Sequence, residues 1–138
     1  MRILGIDYGD SRVGIAITDP LCIIAQGLET INYNGNDKIL LNRLEYIIKE
    51  YDVNTIVVGM PINLKGEETK RAEITHKFIH KLKCRFSKVN IVTMDERLTT
   101  VEAHRTMNDL NIDKRKKKNI VDTISAIYIL EKYINMKK

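Results

Sequence analysis

Asp7 stands near the end of an apolar, strand-like run in ILGIDYGDSRVGIAIT. An ionised carboxylate in such surroundings is costly unless it is paired, hydrogen-bonded or bound to a metal. Three further acids hold comparable positions. Asp95 and Glu96 follow the run VNIVTM, and Asp122 sits among Ile120, Val121, Ile124 and Ala126. Acids gathered at one rim repel one another when ionised. A divalent cation relieves that repulsion, and Mg²⁺ takes oxygens from one or two carboxylates together with substrate phosphate. The chemistry this suggests is metal-assisted hydrolysis of a phosphodiester. Asp7, Glu96 and Asp122 are the candidate metal ligands and catalytic acids, for one or two ions of Mg²⁺ or Mn²⁺.

Each acid also has a structural reading. Asp7 can hold the turn GDSR at 9–12, and Asp122, three residues after Asn119, can serve as an N3 capping acid. Asp95 and Glu96 are neighbours, so on an extended chain they point to opposite faces. Glu96 is the preferred ligand. Asp95 is left as a supporting candidate that pairs with a base such as Arg97 or caps the next helix.

The elements that must position these acids follow from hydrophobic periodicity. Strands are expected over 3–8, 13–18 and 25–31. The second alternates Val13, Ile15 and Ile17 against the small Gly14, Ala16 and Thr18. Ile39, Leu40, Leu44, Ile47 and Ile48 mark a helix over 37–51. The run TIVVGM at 55–60 reads as a strand buried on both faces. A helix over 67–83 is placed by Ala72, Phe78, Ile79 and Leu82, and a strand over 89–94 follows. Thr99 opens a helix with a Thr99-x-x-Glu102 capping box. A last helix spans 120–134. The order β-β-β-α-β-α-β-α-α implies an α/β fold: a mixed sheet of about five strands with helices on both faces. Ligands in such sheets bind beyond the carboxyl ends of the parallel strands.

The chain of 138 residues suits one domain, 1–138. Its net charge of +5 is concentrated. Lys114, Arg115, Lys116, Lys117 and Lys118 hold five of the 23 basic residues, and the remaining 18 balance the 18 acids. Such a run is either a solvated loop or an electrostatic footprint for a polyphosphate. With six Tyr, two Phe and no Trp, a base-stacking platform is disfavoured, so nucleic acid would be held by its backbone. No apolar run is long enough to span a membrane. The opening MRILGID is too short and too quickly acidic for a signal peptide, so a cytoplasmic location is expected. Cys22 and Cys84 form no CxxC pair and are expected as reduced, half-buried thiols. His76 and His80 have metal-pair spacing, but HKFIH lacks the glutamate of HExxH and the helix looks solvated. Asp10 and Asp19 are expected as turn residues.

Four blocks carry a resemblance: GIDYGDSRVGIAITD (5–19), VVGMPINLKG (57–66), DERLTT (95–100) and VDTISAIYILEKY (121–133). In this order they resemble the signature blocks of the YqgF family, also called RuvX, the Holliday junction resolvases. The likeness covers nearly the whole chain. It implies an RNase H-like fold, divalent-metal nuclease chemistry and, in bacteria, maturation of the 5′ end of 16S ribosomal RNA. By position, Asp7 matches the strand-one acid, Glu96 the acid of the DER block and Asp122 the acid of the last helix. Arg12 and Arg97 match basic positions, and either contact the scissile phosphate or hold the carboxylates. One departure is visible: NLKG puts Lys65 where the family commonly has an acid, so a role for that acid does not carry over.

The expected function is a metal-dependent endonuclease acting on precursor 16S ribosomal RNA. The alternatives are a resolvase of four-way DNA, which would be a two-fold dimer, and a non-catalytic nucleic-acid-binding module. An ATP-binding domain of the actin and sugar-kinase type is disfavoured, because one domain of this size has no second lobe. The partner expected is nucleic acid and not a membrane, with the chain a monomer or homodimer.

Overall fold

The alternating N-terminal segments form three antiparallel strands, β1 (Arg2–Tyr8), β2 (Arg12–Thr18) and β3 (Ala25–Asn32). The structure is a computed structural model. It describes residues 1–62, 65, 67, 69–95 and 114–137, with 114–120 described by backbone alone. Next in the chain come α1 (Asp37–Glu50), β4 (Val53–Met60), α2 (Lys70–Arg85) and β5 (Asn90–Asp95). The last element, called α3 here, spans Lys114–Lys137. β4 pairs parallel with both β1 and β5, giving one five-stranded sheet of order β3-β2-β1-β4-β5. The helix expected from Thr99, with Glu102, lies outside the described residues.

The sheet separates two cores. On one face Leu4, Ile6, Ile15, Ile17, Ile56 and Val58 pack under α1 and α2. On the other, Ala16, Val57 and Met94 pack under Ala126, Ile129 and Leu130 of α3. The stretch 56–60 of β4 is apolar and buried because both its faces are covered. No helix among the described residues is long and apolar enough to cross a membrane.

Local chemistry sets the element ends. Asn36 caps α1: its side chain accepts a hydrogen bond from the Lys38 N–H at 3.1 Å. Asp37 in the first turn and Lys49 in the last complement the helix dipole. Asn36→Ala is expected to cost about 1 kcal/mol of stability in urea unfolding and to leave activity unchanged. Asp19 is a turn residue as expected. Its Oδ1 accepts from the Ile23 and Ile24 N–H groups at 2.7 and 2.9 Å. Hydrogen bonds from Ile24 and Ile23 hold its carboxyl below the ordinary range. Both thiols are free; Cys22 is half-buried, but Cys84 is exposed and not half-buried as expected.

The last helix corrects the sequence reading most. It begins at Lys114, six residues earlier than expected, so the basic run is helical and not a loop ahead of the helix. Asp122 is then well inside α3 and is not an N-terminal capping acid. A helix with no acid and several cations in its first turns works against its own dipole. Lys and Arg are nevertheless good helix formers, and α3 is seated on the sheet further along by Ala126, Ile129 and Leu130.

Candidate functional site

Asp7 lies one residue before the end of β1, opposite Gly14 of β2. Directly opposed residues share a face of the sheet, as do residues two apart along a strand. Gly5 faces α3: a Cβ there would lie 2.9 Å from the Ala126 carbonyl oxygen. Asp7 therefore stands on the α3 side, half-buried. Gly14 brings the helix down to it. A Cβ on Gly14 would lie 2.0 Å from the Asp122 carbonyl oxygen and 3.0 Å from the Asp122 Cβ. The helix backbone thus rests on β2 at Asp122, beside the residue paired with Asp7. Asp7 and Asp122, 115 positions apart, thus both neighbour Gly14, whose missing side chain lets the helix lie close on the strand.

Arg12 completes the arrangement. Its Nε donates to Asp122 Oδ2 at 2.8 Å, with the two side chains 34% and 19% exposed. In this structure the Arg12 guanidinium contacts a carboxylate. Arg12 begins β2, and the turn before it is closed by the Gly9 N–H bonded to the Arg12 carbonyl at 3.0 Å.

Asp95 stands elsewhere. Along β5, Val92 and Met94 belong to the α3 core, whereas Ile91 packs with the core under α1 and α2. Alternation puts Asp95 on the Ile91 face, across from its β4 partner Met60. It does not join Asp7 and Asp122. Its backbone carbonyl accepts from Lys132 Nζ of α3 at 2.9 Å. Glu96 and Arg97 lie outside the described residues, as do the side chains of Lys114, Arg115, Lys116, Lys117 and Lys118. The backbone puts Lys118 one helical turn before Asp122 and Lys114 one turn further, about 6 and 12 Å along the axis.

Among the described residues no group of three His, Cys, Asp or Glu side chains is placed to hold a metal. Asp7 and Asp122 nevertheless offer hard carboxylate oxygens on one face at the sheet rim. That donor set fits Mg²⁺ or Mn²⁺, which need only one or two protein carboxylates. His76 and His80 lie on the exposed side of α2, as a solvated helix face would have them.

Sequence reasoning missed the support beneath the β1–β2 turn. Arg71 of α2 donates from Nη2 to the Tyr8 carbonyl at 2.8 Å and pairs through Nη1 with Asp10. Its guanidinium lies 5.6 Å from the centre of the Tyr8 ring. That ring stacks on Phe78 at 4.1 Å, and the Tyr33 hydroxyl donates to the Gly9 carbonyl. Burial raises the phenol pKa of both Tyr8 and Tyr33, so both remain neutral. In the sequence Arg71 sits in KRAE, which reads as a solvated helix start.

Residues 1–136 match the family model described as "RuvX: Holliday junction resolvase". The chain belongs to the RuvX family. A RuvX-like relative in Ruminiclostridium cellulolyticum is 54% identical over 135 residues, covering 98% of this chain and 94% of its own. Another, in Acetivibrio thermocellus, is 49% identical over 137 residues, covering 99% and 97%. Both carry the name pre-16S rRNA nuclease. Among solved structures, Thermus thermophilus RuvC in complex with a Holliday junction has a TM-score of 0.57 at 12% identity, covering 99% of this chain and 96% of that one. The fowlpox virus resolvase with junction DNA also has a TM-score of 0.57, at 13% identity, and covers 99% of each chain. At such identities the likeness is one of fold, and it is the RNase H-like fold expected for RuvX. Family and relatives place this chain among the nucleases.

Proposed function

We propose that this RuvX chain is a metal-dependent endonuclease that hydrolyses phosphodiester bonds in precursor 16S ribosomal RNA, folded as one domain over 1–138. The observation that carries the reading is the convergence of Asp7 and Asp122 on the α3 face through Gly14. Asp7 and Asp122, with Glu96 as the third acid, would hold Mg²⁺ or Mn²⁺. When bound, the ion supplies a nucleophilic water at neutral pH and charge stabilisation at the leaving oxygen. Arg12 keeps the Asp122 carboxylate oriented toward the site. The basic run Lys114–Lys118 and Arg97 hold phosphates flanking the cut. Neutralising that run is expected to weaken binding and flatten its salt dependence. RNA is preferred over four-way DNA because the relatives at about half identity are named for pre-16S rRNA. The family description favours a second reading, junction resolution.

The test compares a labelled 16S 5′-leader RNA with a synthetic four-way DNA junction, in Mg²⁺, in Mn²⁺ and in EDTA. Cutting of the RNA that stops in EDTA is the expected result. Symmetric nicking of the junction with the RNA intact replaces it with the resolvase reading. Binding of both with cleavage of neither turns the assignment to a binding module.

A further inference from the structure

The Arg71–Asp10 pair at the rim plays no part in the metal site described above. Its two members are unequal. The Asp10 side chain is 83% exposed, while that of Arg71 is 31% exposed. Arg71 is held in three ways: by the Tyr8 carbonyl, by the face of the Tyr8 ring, and by Asp10. The ring is itself backed by Phe78. Two of these three contacts do not involve Asp10. The guanidinium would therefore keep its place if the Asp10 carboxylate left, and a planar, pre-positioned guanidinium is suited to bidentate contact with a phosphate. An ion pair with so exposed a carboxylate contributes little to stability, so exchanging one oxyanion for another is easy.

The position also fits. Tyr8, whose carbonyl Arg71 holds, directly follows Asp7. Asp10 lies two residues before Arg12, which holds Asp122. Arg71 thus stands on the α2 side of the same turn whose α3 side carries the acids. A strand whose scissile phosphate lay at Asp7 and Asp122 would carry a neighbouring phosphate past this turn.

We propose that Arg71 is a backbone-phosphate contact for the substrate strand, and that Asp10 occupies its guanidinium until a phosphate displaces it. Asp10 is then an intramolecular competitor for the nucleic acid. The ligand chemistry is a phosphodiester of either RNA or DNA. The inference rests on the nuclease reading, because it needs a strand lying along this rim.

The test is a binding titration in EDTA, where nothing is cut, with the labelled 5′-leader RNA and the labelled four-way junction, over a range of salt. Arg71→Gln is expected to bind about tenfold more weakly. Its plot of log affinity against log salt should be shallower by about 0.7 on a single strand or about 0.9 on a duplex, the equivalent of one phosphate. Arg71→Lys should keep the wild-type slope and lose part of the affinity. Asp10→Asn should bind several-fold more tightly, and that gain should vanish in the Arg71→Gln background. The last arm separates competition from simple charge: a general repulsion by Asp10 persists or grows when Arg71 is gone. A wild-type slope in Arg71→Gln, or a gain from Asp10→Asn that survives without Arg71, overturns the inference and leaves the nuclease reading intact. So does a shallower slope in Arg71→Lys, which would mean that turn geometry and not charge is at work. Failure of the wild-type protein to bind either probe overturns both together. Whichever probe shows the Arg71 dependence identifies the source of the phosphate.

Discussion

Asp7→Asn is expected to fold as the wild type does and to lose cleavage by roughly a hundredfold to a thousandfold. The size follows from the role. A carboxylate that holds a catalytic cation supports several kcal/mol of transition-state charge stabilisation, and each 1.4 kcal/mol or so is worth about tenfold in rate. The fold is spared because asparagine is nearly isosteric and Asp7 is only half-buried. Adding Mg²⁺ should raise the wild-type melting temperature, since a ligand that binds only the folded state stabilises it. The same addition should raise that of the variant much less. Thermal melts with and without Mg²⁺ thus check the assignment without a substrate. Wild-type cleavage by Asp7→Asn, or an equal Mg²⁺ shift in both proteins, would remove Asp7 from the metal site.

The parts of this arrangement that were legible in the sequence are those carried by local periodicity. An acid at the end of the alternating run ILGID, and one set in sequence among Ile120, Val121, Ile124 and Ala126, are odd enough to single out Asp7 and Asp122. The small face of β2 was legible too, and it is the face on which α3 lies. The neighbour rule for extended chains separated Asp95 from Glu96, and β5 does turn Asp95 to the far side of the sheet from Asp7. The start of α3 was not legible. A helix beginning in KRKKK opposes its own dipole, and the packing of Ala126, Ile129 and Leu130 that seats the helix is a tertiary effect. Arg71 was invisible for a related reason. Its partners Tyr8 and Asp10 lie 63 and 61 positions away, and nothing in KRAE hints that one of its cations is held in place. Arg12 could be named but not given a role, because its bond to Asp122 spans 110 positions.

Gly14→Ala is the change expected to do the most damage from the smallest addition. A methyl group at Gly14 would sit 2.0 Å from the Asp122 carbonyl oxygen and 2.3 Å from its carbonyl carbon. Both are backbone atoms, so no side-chain rotation relieves the clash. The helix must rise by about 1 Å or more to reach ordinary van der Waals separation, or the strand must bend. Overpacking of this kind costs about 1–3 kcal/mol, and more when it lifts a packed element. Here the lifted helix carries Ala126, Ile129 and Leu130 into the core, so a loss of about 3 kcal/mol in urea unfolding is expected. Activity should fall further than stability. The displaced residue is Asp122 itself, and a misplacement of about 1 Å in a catalytic group can cost about a hundredfold. That loss should persist at low temperature, where the folded fraction is restored. Gly27→Ala provides the comparison on the same helix. Its methyl would meet Thr123 Cγ2 at 2.3 Å, the end of a side chain and not backbone. Thr123 can turn away at the expense of its 3.0 Å hydrogen bond to Thr30. Gly27→Ala should therefore lose some stability and keep most of its cleavage. Equal activity losses in the two variants would mean that helix seating in general, and not the approach of Asp122 to Gly14, sets the site. Wild-type stability and activity in Gly14→Ala would mean that α3 does not rest on β2 at Asp122, and the convergence of the two acids would go with it.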